Sequence, residues 1–259
     1  MNFITRINGS IKKNGFLNTF KFLINLLIVE TKRIPREHIM QIIARRNYMK
    51  ENIILPDYMN KHAIKKTDFF KNNKWMMGLP NYLDYLDQNN LLKNIYKNKP
   101  KIILEIGSGY STYSIIHALL NLKKKEGHNF KFFCIDQSKE YLDVIIKNMP
   151  EEYKKNIIFL HKEIYVQEFN GQKMSFFDIP DEDYDFIYED RKDHPETKLA
   201  GDIIKFEHTK LSKDKNFYFT IDGMITTANY YKRNLKYNYK YSRNYIHGIN
   251  FKKTLKNKI

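Results

Sequence analysis

An acid stands at or just past the end of five short apolar runs: Glu105, Asp136, Glu163, Glu189-Asp190 and Asp222. Carboxylates accept hydrogen bonds from hydroxyls, attract cations and take protons from nucleophiles. Around the first of them stand Gly107, Ser108, Gly109, Ser111 and Thr112. The two glycines allow backbone angles and a close approach that a Cβ would block. Ser111 and Thr112 can cap a following helix, whose free N–H groups then face the turn. The combination makes a ligand cradle. It contains Gly-x-Gly but lacks the third glycine of the dinucleotide fingerprint. Glu105, two residues before the first glycine, suits a cationic ligand better than a pyrophosphate. Asp193 and His194 follow Asp190 closely and add a second group able to handle protons.

These residues need a scaffold that brings five strand ends together. Ile102, Ile103, Leu104 and Ile106 form a short apolar run rich in β-branched residues, as a parallel strand covered on both faces would. Similar runs predict strands at 101–106, 130–135, 156–160, 184–188 and 217–221. Helical periodicity falls between them at 111–122, 138–148 and 197–211, and before them at 81–97. Lys123–Asn129 reads as a solvated loop, and 169–180 as a loop or minor strand. Alternation of this kind implies a parallel sheet with helices on both faces. Right-handed crossovers put all the carboxyl ends on one edge, where ligands of open α/β sheets bind. The expected class is therefore α/β: a Rossmann-like, doubly wound, mostly parallel sheet with an N-terminal helical extension. Residues 1–97 form the helical accessory region and 98–259 the ligand domain, with a tail hairpin at 237–242 and 249–253. Within the extension, 16–29 is an apolar helix too short and too interrupted to span a bilayer. It carries no signal-peptide cleavage pattern. Residues 36–50 form a second helix, and Trp75–Pro80 an apolar knot in the core or over a pocket.

The formal charge of +16 is uneven. Residues 1–50 hold ten Lys/Arg against two Glu, and 223–259 nine Lys/Arg against no acid. The middle holds 26 Lys/Arg against 27 Asp/Glu, so the basicity belongs to the ends and not to the cradle. Basic ends can contact anionic surfaces. A peripheral contact with the inner membrane surface is expected of them, and nucleic acid is the less favoured partner. One cysteine, Cys134, excludes an internal disulfide and suits a reducing, cytoplasmic location.

Leu104-Glu105-Ile106-Gly107-Ser108-Gly109 resembles motif I of the class I S-adenosylmethionine-dependent methyltransferases. The resemblance implies S-adenosylmethionine as cofactor. Its methionine part would lie near Glu105, Gly107, Ser108, Gly109, Ser111 and Thr112, its ribose on Asp136 and its adenine towards Glu163. Asp185–Asp190 resembles motif IV, which ends beside the reacting methyl. Many relatives read Asp-Gly after that strand, where this chain reads Glu-Asp-Arg191. Asp190, and after it His194, is then the catalytic base. No metal is expected: cation-dependent O-methyltransferases show Asp-Asn where this chain has Asp222-Gly223, and no Cys/His cluster suggests zinc. The Asn/Asp-Pro-Pro-Tyr motif of N6-adenine enzymes is absent. The Lys-Asp-Lys-Glu tetrad of ribose 2′-O-methyltransferases also fails, since no acid follows Asp222. The expected activity is O-methylation of a small-molecule or glycan hydroxyl. Two alternatives stay open: a nicotinamide-dependent oxidoreductase, and a non-catalytic basic protein that binds nucleic acid or a membrane surface on a Rossmann-like scaffold.

Overall fold

The computed structural model describes residues 44, 47, 48, 50–53, 85–191, 194, 196–243 and 248–254. The helix expected at 16–29, most of that at 36–50 and the Trp75–Pro80 knot lie outside them. Of 36–50, Ala44, Asn47 and Tyr48 are helical. The chain divides into two compact units, Met1–Ile43 and Ala44–Ile259.

Helix α1 (Tyr85–Asn98) leads into strand β1 (Ile102–Ile106) and helix α2 (Tyr110–Glu126). Strand β2 (Lys131–Asp136), helices α3 (Lys139–Asn148) and α4 (Glu151–Lys154), and strand β3 (Ile158–His161) follow. A hairpin of β4 (Ile164–Phe169) and β5 (Gln172–Phe177) comes before β6 (Phe186–Glu189). Then come α5 (Asp202–Thr209), β7 (Tyr218–Ile221), α6 (Ile225–Asn234), β8 (Tyr239–Arg243) and β9 (Ile249–Lys253). The main sheet runs β3-β2-β1-β6-β7-β9-β8. Its first five strands are parallel; β9 lies antiparallel to both β7 and β8. This is a doubly wound α/β sheet, and its order reverses between β1 and β6. That is the switch point where such sheets open a crevice.

The two faces are dressed differently. Leu104, Ile106, Phe133, Ile135, Ile187 and Phe219 face one side, against Ile203, Ile204 and Phe206 of α5, Tyr231 of α6 and Phe176 of β5. Side chains alternate along a strand, so Glu105, Cys134 and Tyr188 face the other side, paired in register. Helix α2 covers that face: Ser111 bonds Glu105, and Thr112 lies 3.9 Å from Cys134 Sγ.

Several elements differ from the sequence expectation, among them the short helix α4, which it did not include. Helix α2 does not stop at 122 but continues through the lysine run to Glu126. Lysines suit a helix C-terminus, where they face the negative end of the dipole. Gly127 then closes the helix in the left-handed conformation (φ 67°), its N–H donating to Lys123 O at 3.0 Å. Residues 164–177 form a regular antiparallel hairpin where a loop or minor strand was expected. Asn170 (φ 49°) and Gly171 (φ 73°) make its two-residue turn, the Asn-Gly pair that hairpins with left-handed central residues prefer. Helix α5 begins only at Asp202 and not near 197, because Lys198 takes a left-handed φ of 50° and breaks the run.

Among the described residues no helix is long and apolar enough to cross a membrane.

Candidate functional site

Register builds the site. Cys134, Glu105, Tyr188 and Thr220 form one row across β2, β1, β6 and β7. Two residues on, at the carboxyl edge, the next row is Asp136, Gly107, Asp190 and Asp222, with its three carboxyl side chains on the same face. A cavity of about 580 Å³ opens there, bounded by Gly107, Ser108, Asp136 and Asp190. Gln137, Ser138, Tyr141, Phe177 and Arg191 complete its walls.

Gly107 is the pivot of the turn. Its φ is +93°, and a Cβ built on it would stand 1.8 Å from the backbone oxygen of Asp190. Its N–H donates to Ile135 O at 2.8 Å, and Asp190 N–H donates to Ile106 O at 2.9 Å. Three strand ends are thereby locked together with no room for a side chain. Gly109 is different. Its backbone is extended, and a Cβ there would meet only the Tyr141 hydroxyl, at 3.9 Å. The sequence reading gave both glycines the same steric duty, but only Gly107 has it; Gly109 borders open space. Gly109→Val is accordingly expected to leave stability within about 0.5 kcal/mol of the parent, measured by urea unfolding. It should also weaken any ligand seated over the turn at least about tenfold.

Helix α2 starts at Tyr110, so Ser111 and Thr112 lie within its first turn and neither is the N-cap. Thr112 Oγ1 accepts from Gly109 N–H at 2.9 Å, and Ser111 Oγ donates to Glu105 Oε1 at 2.5 Å. Both side chains are buried and neither lines the cavity. Glu105 itself is wholly buried beneath the turn, and its Oε2 has no hydrogen-bond partner. Burial raises its carboxyl to about 8, the Ser111 hydroxyl opposing only part of that rise. At neutral pH Glu105 is therefore mostly uncharged in this state. It is a buried support under the cradle, without the exposed negative charge expected from its position in sequence.

Asp136 lies where a hydroxyl-binding carboxylate was expected, on the cavity wall. Its Oδ2 accepts from Ser108 N–H at 2.9 Å and from Ser108 Oγ at 2.6 Å. Its Oδ1 accepts from Ser138 N–H at 2.8 Å. One carboxylate thus fixes the β1 turn and the start of α3 together. Ser138, not Asp136, caps α3, accepting from Tyr141 N–H at 3.2 Å. A carboxylate offers about four lone pairs, so Oδ1 retains acceptor capacity towards the cleft. Tyr141 stands across from the turn, 44% exposed. Burial, with the charges of Asp136 and Asp190, raises its hydroxyl above the ordinary tyrosine value.

In comparisons with known proteins, no family model and no curated protein matches the chain. Solved structures do. An SAH-bound methyltransferase from Podospora anserina shares 13% identity over 85% of this chain and 97% of its own, with a TM-score of 0.47. An O-methyltransferase from Bacillus cereus in complex with SAH shares 14% identity over 65% and 80%, with a TM-score of 0.43. A SAM-dependent methyltransferase from Aquifex aeolicus shares 15% over 64% and 88%, with a TM-score of 0.37.

The far wall is made by the end of β6. The Asp190 side chain reaches the solvent of the cleft, but protein surrounds it on its other sides. That partial desolvation, with the nearby charge of Asp222, raises its carboxyl to about 7. Asp222, at the end of β7, accepts from the Tyr188 hydroxyl at 2.8 Å. Arg191 runs the other way, into the protein, and its side chain is 3% exposed. Nε donates to Glu189 Oε1 at 3.1 Å, and Nη2 to Ser175 O at 2.8 Å. Nη2 also lies 3.0 Å from Asp202 Oδ2. The guanidinium sits over the Phe177 ring, 5.1 Å from its centroid. Arg191 thereby ties β6, β5 and α5 together directly behind Asp190. Removing one member of a buried ion network strands the other charges, at about 3–5 kcal/mol. Arg191→Ala is expected to lose that much in urea unfolding.

His194 does not join the site. Its Nδ1 accepts from Glu196 N–H at 3.3 Å within its own turn, and it does not line the cavity. Glu163 is exposed between β3 and β4 and also lies outside the cavity. The residues that sequence reasoning missed are Gln137, Ser138, Tyr141, Phe177 and Arg191. Two of them had a signal. Ser138 and Tyr141 are the cap and first turn of a helix that begins right after a strand-end acid, so they had to border whatever Asp136 borders.

Proposed function

We propose that this chain is a class I S-adenosylmethionine-dependent methyltransferase that methylates a hydroxyl of a small-molecule or glycan acceptor. The observation that carries this reading is the row Asp136, Gly107, Asp190 and Asp222 at the switch point of the sheet. A hydroxyl-binding carboxylate, a turn without side chain and a carboxylate of raised pKa meet there in one cavity.

The residues present fit the cofactor. Oδ1 of Asp136 and the Ser108 hydroxyl suit a ribose diol, and the Tyr141 ring supplies an aromatic wall. Gly109 leaves the space above the turn free of side chain. When bound, S-adenosylmethionine supplies a methyl group on a sulfonium, which a nucleophile can attack in line. Most of what the chain contributes is orientation. The rest is proton removal. Asp190, at about 7, is partly ionised at neutral pH and faces the cleft, the condition a general base needs. As the acceptor oxygen forms its bond to carbon, its proton passes to an Asp190 carboxylate oxygen and from there to solvent in the open cleft. Arg191, held by Glu189 and Asp202, keeps the loop that carries Asp190 in place.

A nicotinamide cofactor is less well supported. Thr112 stands where the third glycine of that fingerprint would be. Its hydroxyl is packed between Gly109 N–H and Cys134, in the space that glycine leaves for close helix–strand packing. The last strands also depart from the dinucleotide order, since antiparallel β9 sits between β7 and β8.

The test is transfer of a labelled methyl group from S-adenosylmethionine to a panel of phenols, free sugars and glycans. The reading predicts label in an alkali-stable ether. Label found only on nitrogen or carbon would sink the hydroxyl assignment.

A further inference from the structure

The end of β6 and the end of β7 bring two carboxylates side by side. The last paired residues of these strands are Glu189 and Ile221. The ladder then continues one step further, with Asp222 N–H donating to Glu189 O at 2.8 Å. Asp190 and Asp222 are therefore neighbours in register, on strands about 4.8 Å apart. Alternation puts Tyr188 on the same face as Asp190. From there its hydroxyl reaches across to Asp222 Oδ2 at 2.8 Å.

This arrangement is asymmetric. Tyr188 is 2% exposed. Burial, and after it the charge of Asp222, hold its hydroxyl well above the ordinary tyrosine value, so it remains a donor at every working pH. A hydrogen bond donated to a carboxylate favours the ionised form. Asp222 receives that bond, while Asp190 faces the cleft. Like charges on neighbouring strand ends resist ionising together, and after burial the charge of Asp222 is the second cause of the raised Asp190 carboxyl.

We propose that Asp190 and Asp222 work as one carboxylate pair sharing a single proton, with Tyr188 holding the charge on Asp222 so that the proton resides on Asp190. This rests on the reading of Asp190 as the base. Tyr188 and Asp222 are then positioning residues: neither needs to touch the acceptor, and both set how strongly Asp190 draws its proton. Among the described residues, the other groups near the pair do not reverse the assignment. Glu105 of β1, raised to about 8, is mostly neutral at pH 7. Tyr141 of α3 is neutral in the same range. Arg191 is occupied by Glu189 and Asp202. Asp87 of α1 lies near Tyr188 and acts with Asp222 to keep that hydroxyl protonated.

The test is a carboxyl carbon-13 NMR titration of the full chain, without cofactor or acceptor and in EDTA. Signals are assigned with Asp190→Asn and Asp222→Asn. In the parent, the Asp190 signal is expected to titrate near 7. In Asp222→Asn, which keeps an oxygen for Tyr188, the Asp190 midpoint should fall by about one pH unit or more. In Tyr188→Phe, both carboxyl signals should report the upper step, because the proton is no longer assigned to one site. An Asp190 midpoint near 4 in the parent, or one unmoved in Asp222→Asn, would overturn the pair. The readout separates this idea from the enzyme reading. A coupled titration in a chain that transfers no methyl upholds the pair and sinks the enzyme. Methyl transfer with an uncoupled Asp190 does the reverse. In an active chain, Asp222→Asn should also move the acidic limb of the pH–rate profile down by the same amount, leaving KM for the cofactor unchanged.

Discussion

Gly107→Ala is expected to abolish binding of the proposed cofactor and to lower the unfolding free energy by about 2 kcal/mol or more. Two costs combine. The first is local: a φ of +93° is a conformation that a residue with a Cβ adopts only under strain. The second is tertiary: the new methyl would stand 1.8 Å from the Asp190 backbone oxygen, so β1 and β6 must part. Backbone cannot swing aside as a long side chain can. Parting these strands opens the switch point itself and moves Asp190 away from Asp136. Urea unfolding reads the loss of stability and calorimetric titration the loss of binding. The contrast with Gly109→Val is diagnostic, since that change should lose the ligand while keeping the fold.

Activity is expected to rise with pH and level off above about 7, following ionisation of Asp190. Asp190→Asn should cost about 10²- to 10⁴-fold in kcat and flatten that limb. Stability should move the other way. Asp190 has a folded pKa above its unfolded value, so the folded state holds the proton more tightly. The stability this contributes is complete below the unfolded pKa of about 3.9 and is lost as pH rises from there through about 7. Asp190→Asn cannot ionise, so relative to the parent it should gain stability over that window and keep the gain at pH 8. A variant that is both slower and more stable at pH 8 is what an energetically strained base predicts. Parallel loss of both would mark Asp190 as structural. Thermal unfolding at pH 4 and pH 8, beside a pH–rate profile, decides between them.

Much of the scaffold was legible because the signals were local. Apolar runs such as Ile102–Leu104 and Phe186–Ile187 mark buried parallel strands within a residue or two of where they form. The strand-end acids were legible for the same reason, and right-handed crossovers forced their ends onto one edge. What failed depended on partners far away in sequence. Glu105 reads as an available charge, yet α2 folds over it and leaves it neutral and buried. Arg191 reads as a departure from the motif, yet Ser175 and Asp202 make it the buried tie behind Asp190. The position of Arg191 is not predictable without the β4–β5 hairpin, which supplies Ser175. That hairpin has a local signal of its own in Asn170-Gly171, whose left-handed pair makes the two-residue turn. His194 is the converse case. It has the right residue type four positions from the proposed base Asp190, and its own turn takes up the ring nitrogen.

The central claim is that the cradle around Gly107 and Asp136 holds S-adenosylmethionine. Calorimetric titration of the unmodified chain with S-adenosylmethionine, repeated with Asp136→Ala, tests it most directly. The account predicts one site per chain, with a dissociation constant in the range of about 1 μM to 1 mM, and at least about a tenfold loss in the variant. No binding up to millimolar ligand, or equal binding by parent and variant, would contradict it.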